Sequence, residues 1–158
     1  MSTADFVFIE SKTSIFLDLQ AFCTALREKF PGILIRERTN PEKAYSLSWD
    51  YQSPQLTLES SLSSKKNVFV INYFDSTNRL QDYASYIIWL RKWFPPEEKV
   101  SFCDEGYEYV FELPSDLSQK ELENYLRTRF DERRRSSKMN KDMEQLKRRI
   151  RCLLKMIC

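Results

Sequence analysis

Two rhythms of apolar and polar positions run along this chain. The two-residue rhythm is clearest in "AYSLSWDY" (44–51), where Tyr45, Leu47, Trp49 and Tyr51 fall on one face and Ser46, Ser48 and Asp50 on the other. Such alternation predicts a half-buried strand. "QLTLES" (55–60), across the Ser53-Pro54 turn, is its expected antiparallel neighbour. "DFVFIES" (5–11) and "ILIRER" (33–38) read as further strands. "NVFVINYF" (67–74) is apolar on both faces, which predicts a central place in the sheet. "KVSFC" and "YEYVFEL" flank Asp104-Glu105-Gly106, a hairpin signal.

The helical rhythm appears three times before the C-terminal segment. Ile15, Leu19, Phe22, Leu26 and Phe30 predict a helix from about Ser14 to Phe30, stopped by Pro31-Gly32. A second is expected from about Ser76 to Phe94, before Pro95-Pro96. Its stripe Leu80, Ala84, Ile87 and Phe94 should face the sheet, with Tyr86, Trp89 and Trp93 on a separate side, as an interface or, at least equally, as part of a wide core face. A third starts at a capping box, Ser118 with Glu121, and a hydrophobic staple, Leu117 with Leu122. Leu122, Tyr125, Leu126 and Phe130 form its buried stripe. The order β-α-β-β-β-β-α-β-β-α predicts an α+β fold, a mainly antiparallel sheet with helices packed on one face. Residues 1–130 are the expected globular domain, and "DERRRSSK" (131–138) the expected linker to a C-terminal amphipathic helix.

In that last segment, Met139, Met143, Leu146, Ile150, Leu153 and Ile157 are spaced 4, 3, 4, 3, 4, a heptad seam. Charge alone does not support a lone helix there: Lys147 with Arg151 and Arg151 with Lys155 are like-charge pairs, offset by Glu144 with Arg148. The seam therefore needs a surface. A membrane surface calls for aromatic anchors that the segment lacks. Nucleic acid is admitted by charge, but no aromatic residue interleaves the basic ones for base stacking. Packing on its own domain, or on a second copy through residues 139–157, is the use heptad seams most often have.

Composition sharpens the picture. The chain has 158 residues, 42% hydrophobic, 30% charged and 14% aromatic. It contains no histidine, which removes Ser-His-Asp and Cys-His catalysis and every His-containing metal site. With two glycines, neither a dinucleotide-binding GxGxxG nor a P-loop can be written. No cofactor or metal is expected. Cys23, Cys103, Cys152 and Cys158 form no CxxC pair, and "MSTADFVFIESK" has no basic n-region; both favour reduced thiols in a cytoplasmic protein. Residues 131–158 hold ten Lys/Arg against four Asp/Glu, a net of +6, and residues 1–130 hold fifteen against nineteen, a net of −4. The E-x-K of Glu97-Glu98-Lys99 occurs in metal-dependent nucleases, but a solvated turn explains it better. "RRRSS" (133–137) likewise reads as a charged linker before it reads as a kinase site.

The stretch "FDSTNRLQDYASYIIWLRKWFPPEEKVSFCDEGYEYVFELPSDLSQKEL" (74–122) resembles small bacterial immunity proteins of contact-dependent or secretion-delivered toxin systems. The shared features are a helix ending in an aromatic-Pro break, an acidic hairpin and a capped helix. The resemblance implies a non-catalytic cytosolic protein that binds one cognate toxin, and a basic toxin domain would suit an acidic body. Expected partner contacts are Tyr86, Trp89, Trp93, Asp104, Glu105 and Glu108. The expected tail interface is Met143, Leu146, Ile150, Leu153 and Ile157. The competing reading is a nucleic-acid-associated or regulatory protein that uses the basic helix. A carboxylate-dependent enzyme comes third.

Overall fold

The elements occur in the order the two rhythms predict. In this computed structural model, which describes residues 4–10, 17–38, 45–106 and 110–157 (the last by backbone only), they are β1 (Asp5–Ile9), α1 (Leu19–Lys29), β2 (Leu34–Glu37), β3 (Tyr45–Gln52), β4 (Leu56–Ser63), β5 (Val68–Ser76), α2 (Arg79–Arg91), β6 (Val100–Asp104), β7 (Val110–Glu112) and α3 (Gln119–Ile157). The strands form one sheet of order β2-β3-β4-β5-β1-β6-β7, and every pairing is antiparallel. β5 is the middle strand, as its two apolar faces require. The fold is α+β.

Register sorts the side chains of the sheet into two faces. Leu47, Trp49, Leu58, Leu62, Phe69, Ile71, Val7 and Phe102 are buried on the face that receives α1 and α2. Phe22 of α1 is the hub there, with ring centroids 5.2 Å from Trp49, 5.5 Å from Phe69 and 5.0 Å from Trp93. On the opposite face, Phe6, Phe8, Val68 and Val70 lie in register and are partly exposed. Toward β2 that face turns polar, with Arg36 and Asp50 in an exposed ion pair of 2.8 Å. A pair so exposed adds little to stability.

One buried polar chain crosses the helix–sheet interface. Trp49 Nε1–H donates to Tyr86 Oη at 2.9 Å, and Tyr86 Oη–H donates to Ser60 Oγ at 2.9 Å. Burial pushes the ionisation of Tyr86 well above the usual phenol range, against smaller opposing effects of the Ser60 and Trp49 bonds. The hydroxyl therefore keeps its proton and can donate throughout the physiological range. Tyr86 is a core residue, so of the two readings of that side of α2 the wide core face holds for Tyr86 and the interface does not. The buried face of α2 is broader than the expected stripe and runs through Tyr83, Tyr86, Ile87 and Leu90 to Phe94, while Leu80 is only half-buried. Tyr86 fits inside because Trp49 and Ser60 satisfy its polar end.

At its C-terminal end α2 is closed by Arg91, which is 5% exposed. Its guanidinium donates to the carbonyls of Leu113 (2.7 Å), Phe94 (3.3 Å), Pro95 (3.2 Å), Pro96 (3.3 Å) and Glu98 (3.1 Å). Five carbonyl dipoles solvate a cation that burial would otherwise penalise. The same bonds hold the Pro95-Pro96 bend and join it to the residue after β7.

Helix boundaries differ from expectation where a competing bond is stronger. Leu17 and Asp18 precede α1 rather than belonging to it, and Asp18 Oδ1 caps the helix by accepting from Ala21 N at 3.1 Å. The rest of the predicted first turn, 14–16, lies outside the described residues. Ser76 belongs to β5, paired with Leu56, so α2 starts at Arg79. Gly32 ends the turn after α1 at φ +91°, a conformation costly for any other residue type. Residues 131–138, expected to be a linker, are helical and continuous with both sides of α3. Arg, Glu and Lys are good helix formers, no Gly or Pro interrupts them, and charge by itself does not break a helix. The chain divides into two compact units, Met1–Gln119 and Lys120–Cys158.

Tyr86→Phe should lower the free energy of unfolding by about 1–3 kcal/mol, because it strands the Trp49 indole N–H and the Ser60 hydroxyl. Arg91→Met, which keeps the apolar stem, should cost about 2–4 kcal/mol. Urea denaturation followed by tryptophan fluorescence measures both; losses below about 0.5 kcal/mol would show that these bonds are replaced by water.

Candidate binding surfaces

Among the described residues, most of the exposed large apolar side chains lie on α3. Leu122 and Leu126 near its start are buried, but from Arg134 to Met156 every side chain is exposed. The seam members Met139, Met143, Leu146, Ile150 and Leu153 lie among these, as do Leu154 and Met156, with exposures from 48% to 83%. The side chain of Ile157 lies outside the described residues. Leu154 and Met156 flank the seam and widen its C-terminal half. They were missed because the heptad count selects a line of residues rather than a face, although "CLLKMI" (152–157) contains five apolar residues. Burying each large side chain would contribute about 1.5–3 kcal/mol before ordering costs. The Lys147–Glu144 ion pair at 3.4 Å is exposed and open to screening, and contributes far less.

A second surface lies on α2. Trp89 and Trp93 are half-buried, with ring centroids 5.9 Å apart. Each packs one side on Phe22, at 5.6 Å and 5.0 Å. Lys29 Nζ sits 5.6 Å from the Trp89 ring centroid and 5.7 Å from that of Phe30. Burial, and then the nearby Lys92 charge, pull the Lys29 pKa below its ordinary value. Of the three aromatic contacts expected here, Trp89 and Trp93 keep a solvent-facing edge and Tyr86 has none to offer.

The acidic turn is partly in view. Asp104 ends β6 and is half-buried, Glu105 is exposed, and Glu108 lies outside the described residues. Glu97 and Lys99 are exposed in the turn before β6, where the backbone carbonyl of Glu98 accepts from Arg91. No group of three metal-capable side chains occurs among the described residues. A recess of about 20 Å³ between Ile88, Arg91, Leu113 and Leu117 has room for a water molecule, not a metabolite. Among the described residues, no helix is long and apolar enough to cross a membrane.

Cys23 and Cys103 are buried thiols and Cys152 is an exposed one. Burial, with the adjacent Glu37 carboxylate, raises the Cys23 pKa above that of a free thiol. A thiol so raised is a poor nucleophile. Iodoacetamide at neutral pH should therefore label Cys152 at least tenfold faster than Cys23 or Cys103, by about the ratio expected when access and ionisation both differ. Peptide mass mapping before and after urea checks this, and equal labelling of Cys23 in the native protein would contradict its burial.

No protein-family model matches the chain, and neither does any curated protein or solved structure.

Proposed function

We propose that this protein works by stoichiometric binding of a protein partner rather than by catalysis, in the manner of an immunity protein that sequesters a cognate toxin. The observation that carries the reading is the Trp89–Trp93 pair, two indoles held side by side on Phe22 with their outer edges facing solvent. Tryptophan is the residue most often found at the energetic centre of protein interfaces, because it buries a large rigid area at small entropic cost. The exposed carboxylate of Glu105, the half-buried Asp104 and the net −4 of residues 1–130 suit a basic partner, whose approach they would accelerate. Glu108 adds a further negative charge close by in sequence.

A second reading has its own support. The Lys and Arg side chains from Arg134 to Lys155 are all exposed, as a helix that contacts phosphates requires. The two readings differ in salt dependence, in partner and in the residues they need.

The test is whether a gene for a large secreted protein lies beside this one, its absence counting against the proposal, followed by co-expression with the C-terminal domain of that protein. The proposal expects rescue of growth and a complex of fixed stoichiometry by calorimetry. Trp89→Ala or Trp93→Ala should weaken that complex by about thirtyfold or more. Glu105→Lys should slow association chiefly at low salt. Growth arrest without rescue, or binding of DNA or RNA that disappears when Lys147, Arg148, Arg149 and Arg151 are replaced, would turn the assignment to the second reading.

A further inference from the structure

We infer that the exposed seam of α3 is a self-association surface, and that its occupant is the same helix of a second copy, parallel and in register. This holds whatever partner the Met1–Gln119 unit binds. In heptad terms the core positions alternate strictly: Met143, Ile150 and Ile157 occupy a, and Met139, Leu146 and Leu153 occupy d. Ile at a with Leu at d is the combination that packs best in a parallel two-stranded coiled coil, because the β-branched side chain fits the a layer and the γ-branched one the d layer.

The flanking charges select the same arrangement. Positions g are Asp142, Arg149 and Met156, and positions e are Asn140, Lys147 and Leu154. In a parallel pair each g residue meets the e residue five positions further along its partner. Asp142 then meets Lys147 of the second copy, twice by symmetry, and Arg149 lays its stem along Leu154. No like charges oppose one another across the interface. In the antiparallel pair that overlaps the whole seam, Lys147 faces Lys147, Arg149 faces Arg149, and Asp142 faces only Met156. The remaining cations, Lys141, Arg148, Arg151 and Lys155, fall on the outer positions b and f, away from the partner helix. Lys147 is held in the single helix only by the exposed 3.4 Å pair with Glu144, so it can turn toward a partner carboxylate at small cost. The absence of a bulge or break between Gln119 and Ile157 lets the two helices run side by side over the full seam. With about three heptads, the association should be reversible and concentration-dependent.

The full chain should show mass doubling by light scattering as its concentration rises through the micromolar range, and Ile150→Asp should remain monomeric throughout. In a background where Cys152 and Cys158 are replaced by serine, Met139→Cys should form an interchain disulfide under mild oxidation, since only the parallel register brings the two 139 positions together. Asp142→Lys and Lys147→Asp should each weaken the dimer several-fold, and the double exchange should restore it, which a merely unfolded α3 would not do. A monomer at every concentration, a dimer that fails to cross-link through position 139, a trimer, or a double exchange no better than either single one would overturn the proposal.

Discussion

A phenol hydroxyl placed where water cannot reach organises the Met1–Gln119 unit. Tyr86 Oη accepts from Trp49 on β3 and donates to Ser60 on β4, so one helix residue is bonded to two adjacent strands. Around it the rings of Phe74, Trp89 and Phe30 lie 5.6–6.3 Å away. Apolar packing alone would tolerate α2 sliding along the sheet. The polar chain does not, because each displaced position leaves a buried donor or acceptor unpaired. α1 is then positioned by Phe22, which inserts between the same indoles and Phe69. The Trp89–Trp93 surface is a by-product of that geometry: the inner sides of these rings finish the core, and their outer edges are left for something else.

Most of the architecture is legible in the residues because local and tertiary demands agree. The alternation of Tyr45, Leu47, Trp49 and Tyr51 gives a strand, and the unbroken apolar run around Val68–Ile71 gives the central one. Pro31-Gly32 directly follows the end of α1, whereas α2 ends at Arg91, three residues short of the expected Phe94 before Pro95-Pro96. What periodicity could not show was how polar atoms are paired. Tyr86 reads equally as a surface or a core aromatic until a distant indole and a serine are known to satisfy it. Arg91 looks like an ordinary last-turn cation, and only the folded chain reveals five carbonyls converging on it. The candidate surfaces were legible to a different degree. Trp89, Trp93 and the heptad seam were visible as spacing, whereas Leu154 and Met156 emerge only from their exposure.

α3 shows which of two sequence signals prevails when they conflict. Dense charge at 131–138 suggests a break, but Glu132, Arg133, Arg134, Arg135 and Lys138 lose little in a helix and outweigh Asp131, Ser136 and Ser137. The result is an uninterrupted helix of 39 residues, about 58 Å long. Its surface is mostly polar, and its apolar minority is gathered at a and d. The acidic body and the basic helix thus differ in what they expose: carboxylates and indole edges on the one, aliphatic side chains among cations on the other.

One outermost strand carries a further meaning. β2 has four residues, two of them the charged Arg36 and Glu37. A margin this short and this charged is a poor template for an incoming strand. An open sheet of seven strands could recruit neighbours by continuing its own ladder, as amyloid does. Here that route is discouraged at the β2 border, where the strand is short and half of it is charged.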